Sequence, residues 1–253
     1  MDHPVVSVIT VVYNNKNHIE KTIQSIAAQH FKNYEHVIID GGSTDGTLEI
    51  IQKYSHRLGY FISEPDKGIY DAMNKGIRAA RGEYIWFINS GDLIESADTM
   101  QHIFSRNDQA DIYYGETNLI NEEGEIIGTR SQHSTRKLPL KMTAGDMKYG
   151  MVVSHQSIIV RRSIAPLYDL QYRCSADIDW VITSLKRSKK IINCEEILSR
   201  YLVGGFSIKN QRKSWVERYD IYCKQYGYLV SWWAHAIIII RAAWYKVMKK
   251  DNY

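Results

Sequence analysis

Cysteine is scarce in this 253-residue chain: Cys174, Cys194 and Cys223 stand far apart, odd in number and without a Cys-x-x-Cys pair. That excludes a disulfide framework and gives no zinc-site spacing, so a reducing compartment is expected. No basic-then-apolar leader opens the chain, because Met1-Asp2-His3-Pro4 runs straight into a strand-like segment, and a cytoplasmic protein is expected. No apolar run reaches the ~20 residues that a bilayer-spanning helix needs. No internal repeat or low-complexity segment appears. A glycine- and basic-rich phosphate loop is also missing after the first strand, where Asn14-Asn15-Lys16-Asn17 stands instead, which argues against a nucleotidyltransferase.

What is present suits one large domain, or a domain with an appendage, built on 44% hydrophobic residues. The net charge of +4 is unevenly spread. From Arg200 to Tyr253 there are ten Lys or Arg against three Asp or Glu, so the first 199 residues carry a small negative excess. A basic end asks for an anionic partner: lipid, a phosphorylated acceptor or nucleic acid. The interspersed Trp232, Trp233 and Trp244, with Ile237–Ile240 and the cations Arg241, Lys246, Lys249 and Lys250, favour an interfacial membrane helix over nucleic acid. A terminal helix packed on its own domain or on a partner subunit is the alternative.

Ser7–Tyr13 is a near-continuous apolar run of the kind shown by parallel strands buried on both faces. Asn17 is placed to cap a helix carrying Ile19, Ile23 and Ile26 on one face. His36–Ile39 ends at Asp40, and Gly41-Gly42-Ser43-Thr44-Asp45-Gly46 turns into the next helix; Tyr60–Ser63 is followed by the loop Glu64–Gly68 and a helix over Ile69–Ala80; Glu83–Ile88 ends at Asn89-Ser90-Gly91-Asp92. Four strands alternating with three helical segments imply a parallel α/β sheet with right-handed crossovers.

The second half predicts mixed α+β structure. A helix is expected near Ala97–Phe104, a strand at Asp111–Tyr114, a hairpin of Asn118–Ile120 with Glu125–Gly128, and an irregular loop over Arg130–Gly150. A strand at Ser157–Val160, a helix at Asp177–Leu185 and a strand at Ile197–Val203 follow.

Ligands of open α/β sheets bind at the carboxyl ends of the strands. Asp40 can accept there from a base N–H or a ribose hydroxyl, Tyr13 can pack its ring on the base, and Thr10 and Asn14 can add polar contacts. Strand packing is the plainer reading of Thr10 and Tyr13. Asp66 can meet base or ribose and Lys67 a phosphate. In the turn Asn89-Ser90-Gly91-Asp92, Asp92 can hold a hard cation against diphosphate oxygens, since such ions commonly take one or two carboxylates, substrate phosphates and water.

Val8-Ile9-Thr10-Val11-Val12-Tyr13-Asn14, Ile39-Asp40-Gly41-Gly42-Ser43-Thr44-Asp45-Gly46-Thr47 and Phe87-Ile88-Asn89-Ser90-Gly91-Asp92, in this order and spacing, resemble the inverting family-2 glycosyltransferases of the GT-A fold that build bacterial capsule, O-antigen or exopolysaccharide. The resemblance covers about residues 5–205. It implies a GT-A catalytic domain over 1–205, with a nucleotide-sugar half at 1–95 and an acceptor half at 96–205, followed by a basic amphipathic helical extension at 206–253.

The resemblance further implies a nucleotide-sugar donor, UDP favoured, contacted by Thr10, Tyr13, Asn14, Asp40, Asp66, Lys67, Asn89 and Gly91, and Mg²⁺ or Mn²⁺ at Asp92. Where many members have Asp-x-Asp-Asp this chain has Asn-Ser-Gly-Asp, so one carboxylate remains. Asp177 aligns with the family's catalytic base, with Asp179 as its rival, and His155, Gln156, Asp179 and Gly205 fall on the acceptor side. The acceptor implied is a glycan hydroxyl on a polyprenyl diphosphate, with Arg212 and Lys213 suited to its phosphates, and the enzyme would sit on the cytoplasmic face of the inner membrane. A non-catalytic nucleotide-sugar-binding scaffold is the reading from another class, motivated by the reduced acidic motif.

Overall fold

The computed structural model describes residues 3–106, 108–204 and 211–250. The chain begins with β1 (Val6–Val12), α1 (Ile19–Ala27), β2 (Tyr34–Asp40), α2 (Thr47–Lys53), β3 (Tyr60–Ser63), α3 (Ile69–Ala79) and β4 (Tyr84–Phe87). All seven residues of β1 are buried, as a β-branched strand at the middle of a sheet requires. It pairs in parallel with β2 on one side and β4 on the other, Val12 facing Asp40 and Ile9 facing Phe87. The carboxyl ends of three adjacent strands therefore open onto one edge.

The chain continues through β5 (Leu93–Ile94), α4 (Thr99–Phe104), β6 (Ile112–Ile120), β7 (Ile126–Thr129), α5 (Arg130–His133), β8 (Ile158–Arg161), α6 (Ala176–Arg187) and β9 (Ile191–Leu202). The sheet runs β3-β2-β1-β4-β8-β6-β9-β5, with β7 added beside β6. Strand β8 enters antiparallel to both β4 and β6, while β9 is parallel to β6. One face of the sheet packs Ile9, Ile39 and Phe87 against Met73 of α3 and Trp180 of α6. The other packs Val8 and Trp86 against Ile26 of α1 and Met100 of α4.

Three local expectations change. Helix α1 starts after His18 with no side-chain cap, so Asn17 does not serve as one. The strands expected at Asp111–Tyr114 and Asn118–Ile120 are a single strand, β6, whose register against β9 shifts on either side of Glu116. The segment expected to be irregular holds α5 and a 3₁₀ turn at Ala144–Tyr149, fastened by Tyr114, whose hydroxyl donates to the Pro139 and Leu140 carbonyls at 2.8 and 2.9 Å.

The basic end forms α7 (Gln211–Tyr226) and α8 (Tyr228–Lys250). They are separated by Gly227 at φ 86, a left-handed turn that glycine makes without strain. Helix α7 packs on the segment that leads into α6: the buried Glu217 carboxylate accepts from the backbone N–H of Arg173 and Cys174 at 2.9 and 2.7 Å. No helix among the described residues is long and apolar enough to cross a membrane.

Candidate active site

Asp40 is fully buried at the end of β2, and its carboxylate is already used. Ser43 donates to it through N–H and hydroxyl at 3.0 and 2.5 Å, and Ser63 at the end of β3 through its hydroxyl at 2.5 Å. It shapes the Gly41–Gly46 loop. Asn14, held at φ 46, ties β1 to that loop: its N–H donates to the Ser43 hydroxyl and its side-chain oxygen accepts from the Thr44 N–H, both at 2.8 Å. Asn15, which no sequence motif singles out as a contact, joins the third strand end by donating to the Ser90 carbonyl and hydroxyl at 3.1 and 3.0 Å. The three strand-end loops are thus one hydrogen-bonded floor.

Tyr13 stands on this floor 66% exposed, its ring beside Gly41. A Cβ at Gly41 would lie 3.3 Å from the Tyr13 ring and 3.0 Å from an Asp66 carboxylate oxygen. An aromatic face and a carboxylate therefore border a slot that the missing side chain keeps open. Burial raises the Asp66 carboxyl above its ordinary value, with Lys75, 2.5 Å away, pulling the other way. Lys67 is exposed, and its N–H donates to Asp71 at 3.0 Å. Thr10 is corrected from a ligand contact to a core residue. It is fully buried, and its hydroxyl donates to the Ile88 carbonyl at 2.7 Å and lies 2.9 Å from the His36 ring.

Asp92 is 5% exposed and joins both halves of the fold. The Gln156 amide donates to it at 2.9 Å and the Leu202 N–H at 3.2 Å. Burial pushes its carboxyl up to about 7 against those two donors. Asn89 contributes a buried side-chain oxygen with no hydrogen-bond partner. An orphan amide oxygen and a desolvated carboxylate in one short turn are the hard oxygen donors that a divalent cation takes. Among the described residues no three His, Cys, Asp or Glu side chains cluster to hold an ion, so the remaining ligands would be phosphate and water. Gly91 serves as geometry: it lies at φ 105, a Cβ there would meet Leu202 at 3.2 Å, and its N–H is spent on Thr22.

Across the cleft, Asp177 lies in the first turn of α6, partly buried, and accepts from the Tyr70 hydroxyl of α3 at 3.1 Å. Burial, and next the Asp177 charge, hold the Tyr70 phenol far above its ordinary range, so it remains a donor. Tyr70 stacks on Tyr168, and Tyr168 on Trp180, at centroid distances of 5.3 and 5.5 Å. That stack fixes the wall behind Asp177. Tyr201 of β9 feels both charges: burial first, then Asp92 and Asp177, raise its phenol. Nothing in the sequence marked Tyr201 or Tyr70, because both depend on contacts between distant segments.

The acceptor-side expectations change more. His155 is buried within the aromatic wall, 2.6 Å from the Tyr168 hydroxyl, and desolvation lowers it to about 4, so it is a neutral core residue. Gln156 holds Asp92 instead of facing an acceptor. Asp179, expected as the rival base and an acceptor contact, is buried and accepts from Gln225 of α7 at 2.7 Å, so its carboxylate is engaged in joining α6 to α7. Gly205 lies outside the described residues. Arg212 and Lys213 are exposed on the first turn of α7.

The sheet order and the carboxylates at its carboxyl edge define an α/β protein of the GT-A type. The family model of glycosyl transferase family 2 matches residues 7–165, and the chain belongs to that family. An uncharacterised glycosyltransferase of Mycobacterium tuberculosis is 40% identical over 215 residues, covering 80% of this chain and 75% of that protein. A PGL/p-HBAD biosynthesis glycosyltransferase of Mycobacterium bovis is 30% identical over 192 residues, covering 72% and 70%. Among solved structures, S. aureus TarS 1–349 in complex with UDP-GlcNAc has a TM-score of 0.69 at 19% identity, covering 85% of this chain, which spans 64% of that one. Mannosyltransferase PcManGT of Pyrobaculum calidifontis, in complex with GDP-Man and Mn²⁺, has a TM-score of 0.64 at 15% identity, covering 96% and 75%.

Proposed function

We propose that the protein is an inverting glycosyltransferase that moves a sugar from a nucleotide-sugar to a hydroxyl of a lipid-linked glycan in surface polysaccharide synthesis, working at the cytoplasmic face of the inner membrane. The observation that supports this reading is the placement of two carboxylates, Asp92 in the turn after β4, held by Gln156 and the Leu202 N–H, and Asp177 in the first turn of α6, held by the Tyr70 hydroxyl. A nucleotide base enters the slot between Tyr13 and Asp66, and Lys67 is near enough in the chain to serve the phosphates. UDP is favoured, as in the TarS complex, although PcManGT holds GDP-Man.

Asp177 takes the acceptor hydroxyl's proton while that oxygen attacks the anomeric carbon from the face opposite the departing nucleoside diphosphate, so one C–O bond forms as another breaks. The Tyr70 hydrogen bond orients the carboxylate and leaves it other lone pairs with which to accept that proton. A divalent ion, Mg²⁺ or Mn²⁺, held by Asp92 and Asn89, would offset the charge gathering on the diphosphate.

Donor binding and hydrolysis across UDP-, GDP- and dTDP-sugars, with Mn²⁺, Mg²⁺ or EDTA, test the assignment. Asp177→Asn is expected to bind donor but lose about 10²–10⁴-fold in turnover, the usual worth of a general base. Asp92→Ala should lose the response to metal. Donor binding without turnover in the native chain, even with a lipid-linked acceptor extract, would replace the enzyme with a nucleotide-sugar-binding scaffold.

A further inference from the structure

A cavity of about 290 Å³ opens between the 130–151 segment, the start of α6 and helices α7 and α8, and four guanidinium groups converge on it: Arg130, Arg136, Arg218 and Arg241. No carboxylate lines it. Among the described residues none of the four arginines is in an ion pair with Asp or Glu. Their partners are neutral. Arg130 donates to the backbone carbonyls of Arg136 and Val152 at 3.1 and 2.9 Å, and Arg136 to that of Asp146 at 2.9 Å. Arg241 donates to the Thr135 hydroxyl at 3.0 Å and the Tyr149 carbonyl at 2.6 Å.

These contacts aim three of the guanidiniums without neutralising them, and the exposed Arg218 lines the cavity from α7. Burial, and then the Arg136 charge, lower Arg241; burial lowers Arg130 as well, where Glu116 at longer range opposes and Arg136 adds. Like charges gathered in a partly desolvated space repel one another, and an anion reverses the sign of that energy. Arginine forks are also the groups best shaped for two-point contact with phosphate oxygens.

The cavity adjoins the proposed base. Ile178, next to Asp177, lines it, and so does the buried Tyr222, whose hydroxyl feels the charges of Arg218, Asp177, Arg136 and Arg241. Helix α8 supplies Arg241 and Ile238 to the cavity, while Trp232, Trp233, Ile239 and Ile240 of the same helix face outward, 57–68% exposed. A cationic pocket thus shares a helix with an apolar surface, the combination that a phosphate joined to a hydrocarbon chain requires.

We propose that this cavity binds the phosphate or diphosphate of a lipid-linked acceptor, placing the acceptor's first sugar towards Asp177. The proposal rests on the glycosyltransferase reading and gives its acceptor a site. It also moves the expected phosphate contacts from Arg212 and Lys213 to the four arginines of the cavity.

Farnesyl phosphate serves as a water-soluble probe, titrated calorimetrically into the full chain in EDTA. Binding is expected, with a loss of at least about tenfold, the equivalent of 1.4 kcal/mol, in Arg218→Glu, which changes an exposed residue of α7, and in the Arg136→Gln/Arg241→Gln pair once thermal unfolding shows that it folds. Nucleotide-sugar affinity, measured in the same samples, should stay within about twofold of wild type in Arg218→Glu, because the donor floor is formed by other elements. Equal affinity of wild type and Arg218→Glu for farnesyl phosphate would overturn the proposal. So would inorganic phosphate binding as tightly as farnesyl phosphate, or variants that lose binding to phosphatidylglycerol vesicles but keep the probe, since the site would then serve free phosphate or bulk headgroups. A wild-type chain that binds the probe through these arginines but no nucleotide-sugar would overturn the transferase reading and leave the lipid-phosphate cavity standing.

Discussion

Gly41 and Gly91 both lie on the floor of strand-end loops, yet they answer different requirements. Gly91 is needed for its left-handed backbone, whereas Gly41 is outside the positive-φ residues and is needed for space. A methyl group at Gly41 would fill the gap between the Asp66 carboxylate and the Tyr13 ring, at 3.0 and 3.3 Å. Gly41→Ala is therefore expected to fold with a stability change below about 1 kcal/mol while weakening nucleotide-sugar affinity about tenfold, or 1.4 kcal/mol. Thermal unfolding and donor titration separate the two effects. Unchanged affinity would show that the base does not use this slot. The residue types here were legible from the sequence, because a carboxylate and an aromatic ring at the ends of β-branched runs mark a ligand-binding edge. Their partners were not: Asp40 is consumed by Ser43 and by Ser63 on another strand, and Thr10 turns inward to Ile88.

Helix α6 carries Asp177, and what holds α6 in place is α7. Several links join them. Gln225 donates to Asp179 at 2.7 Å, the Ser175 and Ser214 hydroxyls lie 2.9 Å apart, and Glu217 accepts the N–H groups of Arg173 and Cys174 just before α6 begins. Two of the three acidic residues in the basic end, Glu217 and Asp220, thus face inward, Asp220 accepting from the Tyr172 hydroxyl at 2.6 Å. The sequence shows a surplus of positive charge there but does not reveal that its few acids are structural, because each partner lies more than forty residues away. Glu217→Ala leaves a buried pair of N–H donors unmatched, at a cost of about 1–3 kcal/mol, and a chain of this length loses about 2–4 °C in melting temperature per kcal/mol. Since those N–H groups position the start of α6, kcat of sugar transfer should fall while donor Kd stays unchanged. A variant that loses stability and keeps kcat would make α7 a brace with no influence on Asp177.

The first four strands were legible because each is a short apolar run with a helix between it and the next, and such units have one handedness. The second half resisted for a physical reason: β8, β6, β9 and β5 pair out of chain order, and one strand of β6's length looks like two when Gly115 and Glu116 interrupt its apolar pattern. The basic, aromatic end is helical in the fold, divided into α7 and α8, and the fold adds which side is exposed. Ser231 and Ala234 of α8 are buried against the rest of the protein, while Trp232, Trp233 and Trp244 are 58–64% exposed. Small residues inward and large aromatic residues outward invert the usual pattern of a surface helix, so the outer face needs a covering. On the membrane-surface reading proposed above, that covering would be an anionic bilayer, where indole rings settle at the headgroup level and the arginine cavity beside α8 would add attraction for phosphates. Co-sedimentation with phosphatidylglycerol-containing vesicles is expected for the native chain and should weaken about tenfold or more in Trp232→Ser/Trp233→Ser, since each buried indole supplies more than the 1.4 kcal/mol that a factor of ten requires. Raising the salt should weaken binding only in part, because an apolar contribution remains when the electrostatic one is screened. If the native chain ignores vesicles and instead forms dimers that the double variant cannot, the face belongs to a second subunit and the membrane-surface reading falls.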